Sequence, residues 1–383
     1  MTDVNIFGST GIIGSKTLKI ISKHFPKYNI NLLCANNNVS KLIKQINLYS
    51  PKFVYLNNIK KNNTLKKNIN KNVQILNYNE LLSYLNTSKS DLTVLAVSGY
   101  KSLNYLESIL KNTSSLGLVS KEAVVSAGHL FKTIIKKKNK KIYPLDSEHF
   151  SIYHHINNID KDFKLKNIIL TASGGPFLGK KYSSLRDISF LNASKHPKWK
   201  MGYKNSIDSA TLVNKCLEVI EAHYLFGIPF EKLKVLIHPE SKIHSIFEYN
   251  NYIYNMIAFH NDMTIPIFHF LNQNINLNLK EDDFRFNVNE KLSFFEVIRD
   301  EFPIYSFFKS LNKSDPSNFI KFNVGNEFAV NLFKSNYIKY TDIFNIIEKI
   351  SSLNLNYKLN TIKDILNYHE ILEIKINEKY KFL

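Results

Sequence analysis

At 383 residues the chain is long enough for two or three domains and an ample core. Hydrophobic residues make up 44% of it, and no apolar run reaches the length of a membrane span, so a soluble globular fold without a membrane partner is expected. The formal net charge of +19 would suit a nucleic-acid binder, but the lysines are interleaved with asparagine along the whole chain, which reads as compositional bias; no nucleic-acid partner is expected.

Met1-Thr2-Asp3-Val4 leads directly into a first apolar run, Val4-Asn5-Ile6-Phe7. No signal or transit peptide is therefore expected, and the location expected is the cytoplasm of a bacterium, or a plastid-type organelle had a transit peptide been removed. Gly8-Ser9-Thr10-Gly11-Ile12-Ile13-Gly14 follows, and then Thr17, Leu18, Ile20 and Ile21 repeat at helical spacing. Strand, glycine loop and helix in that order form a variant of the dinucleotide fingerprint, in which glycines admit a pyrophosphate to a helix N-terminus. The second strand, Ile30 to Ala35, ends in Asn36-Asn37-Asn38 with Lys41 nearby. An NAD site would carry an acid here for the ribose hydroxyls, so its absence favours NADP. Leu92 to Val97 is a further strand, and alternating strands and helices extend to about Tyr143.

Lys140 to Leu145 reads as a short strand running into Asp146-Ser147-Glu148-His149. In extended chain, residues i and i+2 point the same way, so Asp146 and Glu148 can converge on a hard divalent cation. A solvated turn would look the same in isolation. After the apolar strand Ile168-Ile169-Leu170, Thr171-Ala172-Ser173-Gly174-Gly175-Pro176-Phe177 offers a hydroxyl and uncluttered N–H groups for phosphate, or a simple turn. From Ser206 to Ala222, Asp208 or Ser209 is a candidate N-cap. Leu212, Val213, Cys216, Leu217 and Ile220 make an apolar stripe, while Asn214, Lys215 and Glu218 share another face. That face is either a surface Lys–Glu pair or a third metal carboxylate beside an anion-holding group. Gln273 to Asn287 is polar and reads as a linker; from Phe295 the pattern is helical, and the stretch from Ile371 onward is ambiguous. The expected domains are 1–143 for the nucleotide, 144–272 for catalysis, 273–294 as linker and 295–383 as a helical domain. The two cysteines, Cys34 and Cys216, fit no metal or disulfide pattern and suit a reducing compartment.

Taken together, the chain resembles the 1-deoxy-D-xylulose 5-phosphate reductoisomerase family from Asn5 to about Asp342. The matching pieces are Gly8-Ser9-Thr10-Gly11, Ser120-Lys121-Glu122, Asp146-Ser147-Glu148-His149, Ser173 to Phe177, His196-Pro197-Lys198-Trp199-Lys200-Met201-Gly202 and Asp208-Ser209-Ala210-Thr211. They continue with Asn214-Lys215, Leu217-Glu218, Ile237-His238-Pro239, Ile243-His244-Ser245 and Asn326-Glu327. The resemblance implies an α/β fold with an N-terminal Rossmann-like NADPH domain, a central α+β catalytic domain and a C-terminal helical domain, assembled as a homodimer. It implies that Asp146, Glu148 and Glu218 ligate Mg²⁺ or Mn²⁺. Ser147, Glu148, Ser173, His196, Ser209, Asn214, Lys215 and Glu218 would bind the sugar phosphate, with Lys121 near the reacting carbons. Lys121, Glu148, His196 and Lys215 would be catalytic. Thr10, Gly11, Ile12, Ile13, Asn36, Asn37, Asn38, Ser120, Glu122 and Gly202 would line the NADPH site. The activity implied is a metal-dependent ketol rearrangement followed by hydride transfer from NADPH.

The chain departs from the family at Ser120 (usually Asn), Asn36 (Gly), Ile12 (Ser), Glu240 (Gln) and Cys216 (Gly), and at Asn261 and Thr264, which flank Asp262-Met263 where the family reads Pro-Asp-Met-Arg. If the Asn36 loop is strained, Asn36→Gly should tighten NADPH. Asn192 to Gly202, holding the only tryptophan, is expected to close as a lid. Two rivals are a semialdehyde or homoserine dehydrogenase, the former needing a nucleophilic cysteine, and a non-enzymatic nucleic-acid binder.

Overall fold

The computed structural model describes residues 2–70, 72–138, 140–158, 164–197, 202–273, 275, 277–279 and 291–380. In chain order the elements are β1 (Thr2–Phe7), α1 (Ile12–His24), β2 (Tyr28–Ala35), α2 (Val39–Tyr49), β3 (Phe53–Leu56), α3 (Asn62–Lys67), β4 (Gln74–Leu76), α4 (Tyr78–Thr87), β5 (Ser90–Leu95), α5 (Leu103–Asn112), β6 (Thr113–Leu118), α6 (Lys121–Lys138) and β7 (Lys141–Pro144). They continue with α7 (Ser147–Asn158), β8 (Leu165–Ala172), α8 (Phe190–Ala193), α9 (Tyr203–Ala210), α10 (Val213–Phe226), β9 (Leu233–Ile237), β10 (Ile243–Tyr249), β11 (Tyr254–Ala258), α11 (Thr264–Leu271), α12 (Pro303–Ser310), α13 (Pro316–Lys334), α14 (Asp342–Ser351) and α15 (Ile362–Lys379).

The chain folds into two compact units. The first comprises Met1–Ala123, Lys132–Asp146 and Asp262–Glu281. Its seven strands pair in parallel in the order β4-β3-β2-β1-β5-β6-β7. The run Val4 to Phe7 is buried throughout, as a parallel strand covered on both faces must be. The strand order reverses at β1, next to β5. In a doubly wound sheet, ligands bind beyond the carboxyl ends of the strands at that switch point.

Residues 262–272 were expected in the catalytic domain but pack in this first unit. The reason is apolar burial: Ile267, Phe268, Phe270 and Leu271 of α11 join Val4, Ile6, Leu18 and Leu145 in one core. Lys16 of α1 is ion-paired with Asp262 just ahead of that helix.

The second unit comprises Val124–Phe131, Ser147–Asn261 and Asp282–Leu383. Its sheet has the order β11-β10-β8-β9, mixed in direction: β8 is parallel to β9 and antiparallel to β10. Residues 295–383 were expected as a separate helical domain, whereas the structure joins the C-terminal helices to this unit. The asparagine side chain of Asn326 in α13 donates to Asp208 in α9 at 2.8 Å, and Phe319, Ile320 and Phe322 of the same helix are fully buried. Phe295 exchanges both backbone hydrogen bonds with Ile237 at the end of β9. The ambiguous stretch after Ile371 continues α15, which Thr361 and Asp364 start with a capping box. Among the described residues, no helix is long and apolar enough to cross a membrane.

Candidate active site

In the first unit the implicated residues gather on the carboxyl edge of the sheet. Gly8 leaves β1 at φ +80°, and a Cβ there would meet the Ala96 carbonyl oxygen at 2.2 Å. A Cβ on Gly14 would meet the Gly8 oxygen at 2.3 Å, so only glycine lets α1 close onto the loop. The loop is held by Gln45 and Ser15, which donate to the Ser9 carbonyl at 2.8 and 3.0 Å, and by Lys41 Nζ on the Thr10 carbonyl at 2.8 Å. Ile12, the first residue of α1, is 60% exposed. Asn36, Asn37 and Asn38 follow β2, where Asn38 caps α2 through the Lys41 N–H. Ser120 leaves β6 with its hydroxyl on the Val97 carbonyl at 2.7 Å, beyond β5, and Glu122 lies in the first turn of α6. Lys121 Nζ lies 2.7 Å from Asp146, which follows β7.

The convergence of Asp146 and Glu148 has a different origin from the extended chain expected. Ser147 and Glu148 already belong to the first turn of α7, and Asp146 precedes it. A strand-to-helix turn therefore brings the two carboxylates together. Asp146 closes the first unit and Ser147 opens the second. Asp146, Glu148 and Glu218 each bring a carboxylate oxygen within 4.8 Å of the others. Three such charges are tolerable only against cations. Lys215 Nζ lies 3.1 Å from Glu148 and is also ion-paired with Glu218, and both Lys215 and Glu218 are almost wholly buried. Asn214 donates to the second oxygen of Glu218, and the Ser147 hydroxyl donates to Glu148 at 2.6 Å. A compact set of hard oxygen donors is the chemistry that Mg²⁺ or Mn²⁺ prefers. Deeper still, the ring Nε2 of His149 bonds the Glu218 carbonyl at 2.9 Å, and Nδ1 lies 3.8 Å from Glu221.

The second cluster of this unit joins hydroxyls to an imidazole. His196 Nε2 lies 3.0 Å from Ser173 Oγ and 3.1 Å from Ser209 Oγ. Burial pushes the His196 pKa down to about 4, so the ring is neutral at neutral pH. The loop after β8 reaches α9 because residue 175 is glycine: φ is +68°, and a Cβ would meet Ala210 Cα at 2.7 Å. Its N–H donates to the Ser173 hydroxyl at 3.2 Å. Asp208 and Ser209 were expected at a helix N-cap; they sit instead in the last turn of α9. The junction to α10 runs through Leu212 at φ +63°, a left-handed conformation costing about 1–2 kcal/mol for a branched residue. This sharp turn sets Ser209 beside the start of the helix that carries Asn214 and Lys215. Gly202 forms the N-cap of α9. Residues 198–201, with the tryptophan of the expected lid, lie outside the described residues.

Three features were not legible in the sequence. Asp208 is buried, yet it accepts from Lys204 at 2.7 Å and from Asn326 at 2.8 Å, 118 residues away. In the sequence Gly175 shows only its N–H, and nothing marks Lys61 out from the lysines around it. The spacing Lys204–Asp208 at i and i+4 was the only local signal for the first. Both cysteines are buried with thiol pKa values pushed well up by desolvation, so neither is an activated nucleophile. That removes the semialdehyde dehydrogenase reading.

Models of known families match the chain in three stretches: 1-deoxy-D-xylulose 5-phosphate reductoisomerase over residues 4–128, its C-terminal domain over 142–226, and the DXP reductoisomerase C-terminal domain over 260–374. The reductoisomerase of Thermoanaerobacter sp. (strain X514) is 37% identical over 382 residues, covering 99% of this chain and 100% of the relative. The chain belongs to the 1-deoxy-D-xylulose 5-phosphate reductoisomerase family. A second reductoisomerase, from Malacoplasma penetrans, is 38% identical over 96% of this chain and 92% of its own length. Among solved structures, the Zymomonas mobilis reductoisomerase in complex with NADPH superposes with a TM-score of 0.87 at 29% identity, covering all of both chains. A reductoisomerase in complex with NADPH, fosmidomycin and magnesium reaches 0.89 at 28% identity, covering 100% of this chain and 98% of that one. The reductoisomerase reading and the mixed α/β architecture expected from the sequence both stand.

Proposed function

We propose that the carboxylates of Asp146, Glu148 and Glu218 form the metal site of a reductoisomerase whose phosphate site is built from Ser173, His196, Ser209, Asn214 and Lys215. The family's chemistry is the chemistry of this chain: metal-dependent rearrangement of 1-deoxy-D-xylulose 5-phosphate, then NADPH reduction to 2-C-methyl-D-erythritol 4-phosphate for isoprenoid precursors. NADPH and a divalent metal are its cofactors. The observation that carries the site assignment is the three-carboxylate convergence within 4.8 Å with Lys215 bonded into it.

When bound, the metal supplies Lewis-acid polarisation of a substrate oxygen, and NADPH supplies hydride. The protein's own groups position and neutralise. Asn214 and Lys215 fix both oxygens of Glu218, so that carboxylate stands in a set orientation before substrate arrives. Ser147 does the same for Glu148. The neutral His196 and the hydroxyls of Ser173 and Ser209 together offer donors to a phosphate. A dianion there would draw a proton onto the ring, strengthening the contact. Binding energy at the phosphate then orients the reacting end of the sugar against Lys121 and the carboxylates. In the first unit, Thr10 to Ile13, Asn36 to Asn38, Ser120 and Glu122 line the NADPH site; the first unit thus serves mainly the nucleotide and the second mainly the sugar phosphate. Fosmidomycin, bound with magnesium by the solved relative, is expected to occupy the sugar-phosphate site.

A homodimer is supported by the edge strand β11 and the turn before it, where Tyr252, Ile253, Tyr254 and Met256 stand at least 47% exposed and, among the described residues, the strand pairs on one side only. A reducing, cytoplasmic setting is supported by two buried free thiols. Incubation with 1-deoxy-D-xylulose 5-phosphate, NADPH and Mn²⁺, following loss of NADPH absorbance, tests the activity. Its abolition by chelator and by Lys215→Ala tests the site; oxidation of NADPH that ignores both would refute it.

A further inference from the structure

We infer that Lys61, on the turn after β3, is the residue that makes this enzyme choose NADPH over NADH, by engaging the ribose 2′-phosphate. The inference rests on the nucleotide site proposed above. In a doubly wound sheet the ribose 2′ position is read at the end of the second strand, by an acid for NAD or a basic group for its phosphorylated form. The end of β2 here is Asn36-Asn37-Asn38, with neither. Between Ala35 and Lys67 the sequence holds no Asp or Glu and seven lysines. Geometry selects one of them. Lys61 Nζ donates to the carbonyl of Asn37 itself at 3.1 Å. The other lysine bonded at this edge, Lys41, reaches the Thr10 carbonyl of the glycine loop instead.

The loop is also prepared to receive a ligand. Asn57 and Asn58 follow β3 and clamp it from the side. The backbone N–H of Asn57 donates to the Ala35 carbonyl and that of Asn58 to the Asn36 carbonyl, both at 2.9 Å. Their side chains pair residue for residue, Asn57 to Asn36 at 2.9 Å and Asn58 to Asn37 at 2.6 Å. Asn36 does not have positive φ, so the loop is not strained at the position where the family has glycine. The short turn Ile59–Lys61 starts directly from this clamp, which fixes the origin of the Lys61 side chain. An ammonium has three donors, and the Asn37 carbonyl takes one. The asparagines of the loop carry no charge, and the side-chain oxygens of Asn36 and Asn37 already accept from Asn57 and Asn58, so the 2′-phosphate would meet Lys61 as its cationic partner.

The test uses 2′,5′-ADP and 5′-ADP as probes, titrated calorimetrically into the full-length protein. Wild type should bind 2′,5′-ADP more tightly by tenfold or more. Lys61→Ala should lose about tenfold of that ratio, the scale of one charge-assisted hydrogen bond, with 5′-ADP affinity unchanged. Lys61→Arg should keep most of the ratio. Lys60→Ala, which removes the same charge from the same exposed turn, should leave it intact. The NADPH-to-NADH ratio in kcat/KM should follow the same order. A full ratio in Lys61→Ala, or an equal loss in Lys60→Ala, overturns the assignment of Lys61. A wild type that binds both probes alike overturns the nucleotide-site reading beneath it.

Discussion

Glu218→Gln separates a metal ligand from a structural ion pair, because the two roles predict opposite dependence on the cation. Glu218 is 1% exposed and accepts from Asn214 and Lys215. Without metal, removing its charge weakens one buried pairing of Lys215 but leaves Glu148 at 3.1 Å. It also relieves repulsion among carboxylates within 4.8 Å of each other, about 3.5 kcal/mol for two unit charges at an effective dielectric near 20. These effects oppose each other, so metal-free stability should change by no more than about 1–2 kcal/mol. With metal the balance differs. At a concentration of about 100 Kd, the cation stabilises wild type by about 2.7 kcal/mol. Loss of a charged ligand should weaken binding by about a hundredfold, leaving only about 0.4 kcal/mol at the same concentration. Turnover should fall by a hundredfold or more, about 2.7 kcal/mol of barrier. The assay is unfolding with and without Mn²⁺, beside turnover and NADPH binding, which should stay near wild type. Metal-dependent stabilisation equal to wild type, with turnover intact in saturating Mn²⁺, would refute Glu218 as a ligand.

Further outcomes follow from other residues. His196 should titrate near the depressed value of about 4 in the free enzyme and higher once fosmidomycin or substrate phosphate is bound, as read by NMR; titration at an ordinary histidine value in the free protein would contradict its burial. Because its folded pKa lies below its unfolded value of about 6.5, the unfolded state takes up the proton first, so this histidine's stability term is fully present above that value and is lost as pH falls toward about 4. Gly175→Ala forces a Cβ against Ala210 Cα at 2.7 Å and should displace Ser209, raising the KM for sugar phosphate more than the KM for NADPH; equal changes in both would argue against that geometry. Asn326→Ala strips one of two partners from buried Asp208 and should destabilise by about 1–3 kcal/mol in urea unfolding, whereas an unchanged midpoint would show the bond to be idle. Asn36→Gly should weaken NADPH binding, contrary to the expectation from family resemblance, since it deletes the bond from Asn57 at 2.9 Å and relieves no positive φ; tighter binding would restore the strained-loop reading.

Local chemistry made much of this protein legible without coordinates. The glycine loop after Phe7 was readable because glycine spacing at a strand-to-helix turn reports a backbone constraint, and Gly8 and Gly14 do stand where a Cβ cannot. Asn214, Lys215 and Glu218 were readable as one face because helical periodicity alone places them there. The acid-free end of β2 spoke for NADP because side-chain charge is written in the sequence. Tertiary structure decided what depends on long-range packing. Asp146 and Glu148 meet across a strand-to-helix turn, which the extended reading missed because α7 already begins at Ser147, just after β7 ends at Pro144. Residues 262–271 belong with the first unit because α11 buries its phenylalanines against strands more than 170 residues earlier in the chain, such as β1 and β2. Asp208 is buried against Asn326 as well as its helical neighbour Lys204, and Lys61 reaches Asn37 only because β3 lies beside β2. Sequence spacing carries no record of such contacts: they arise when burial of distant apolar surfaces brings polar groups together that must then satisfy one another.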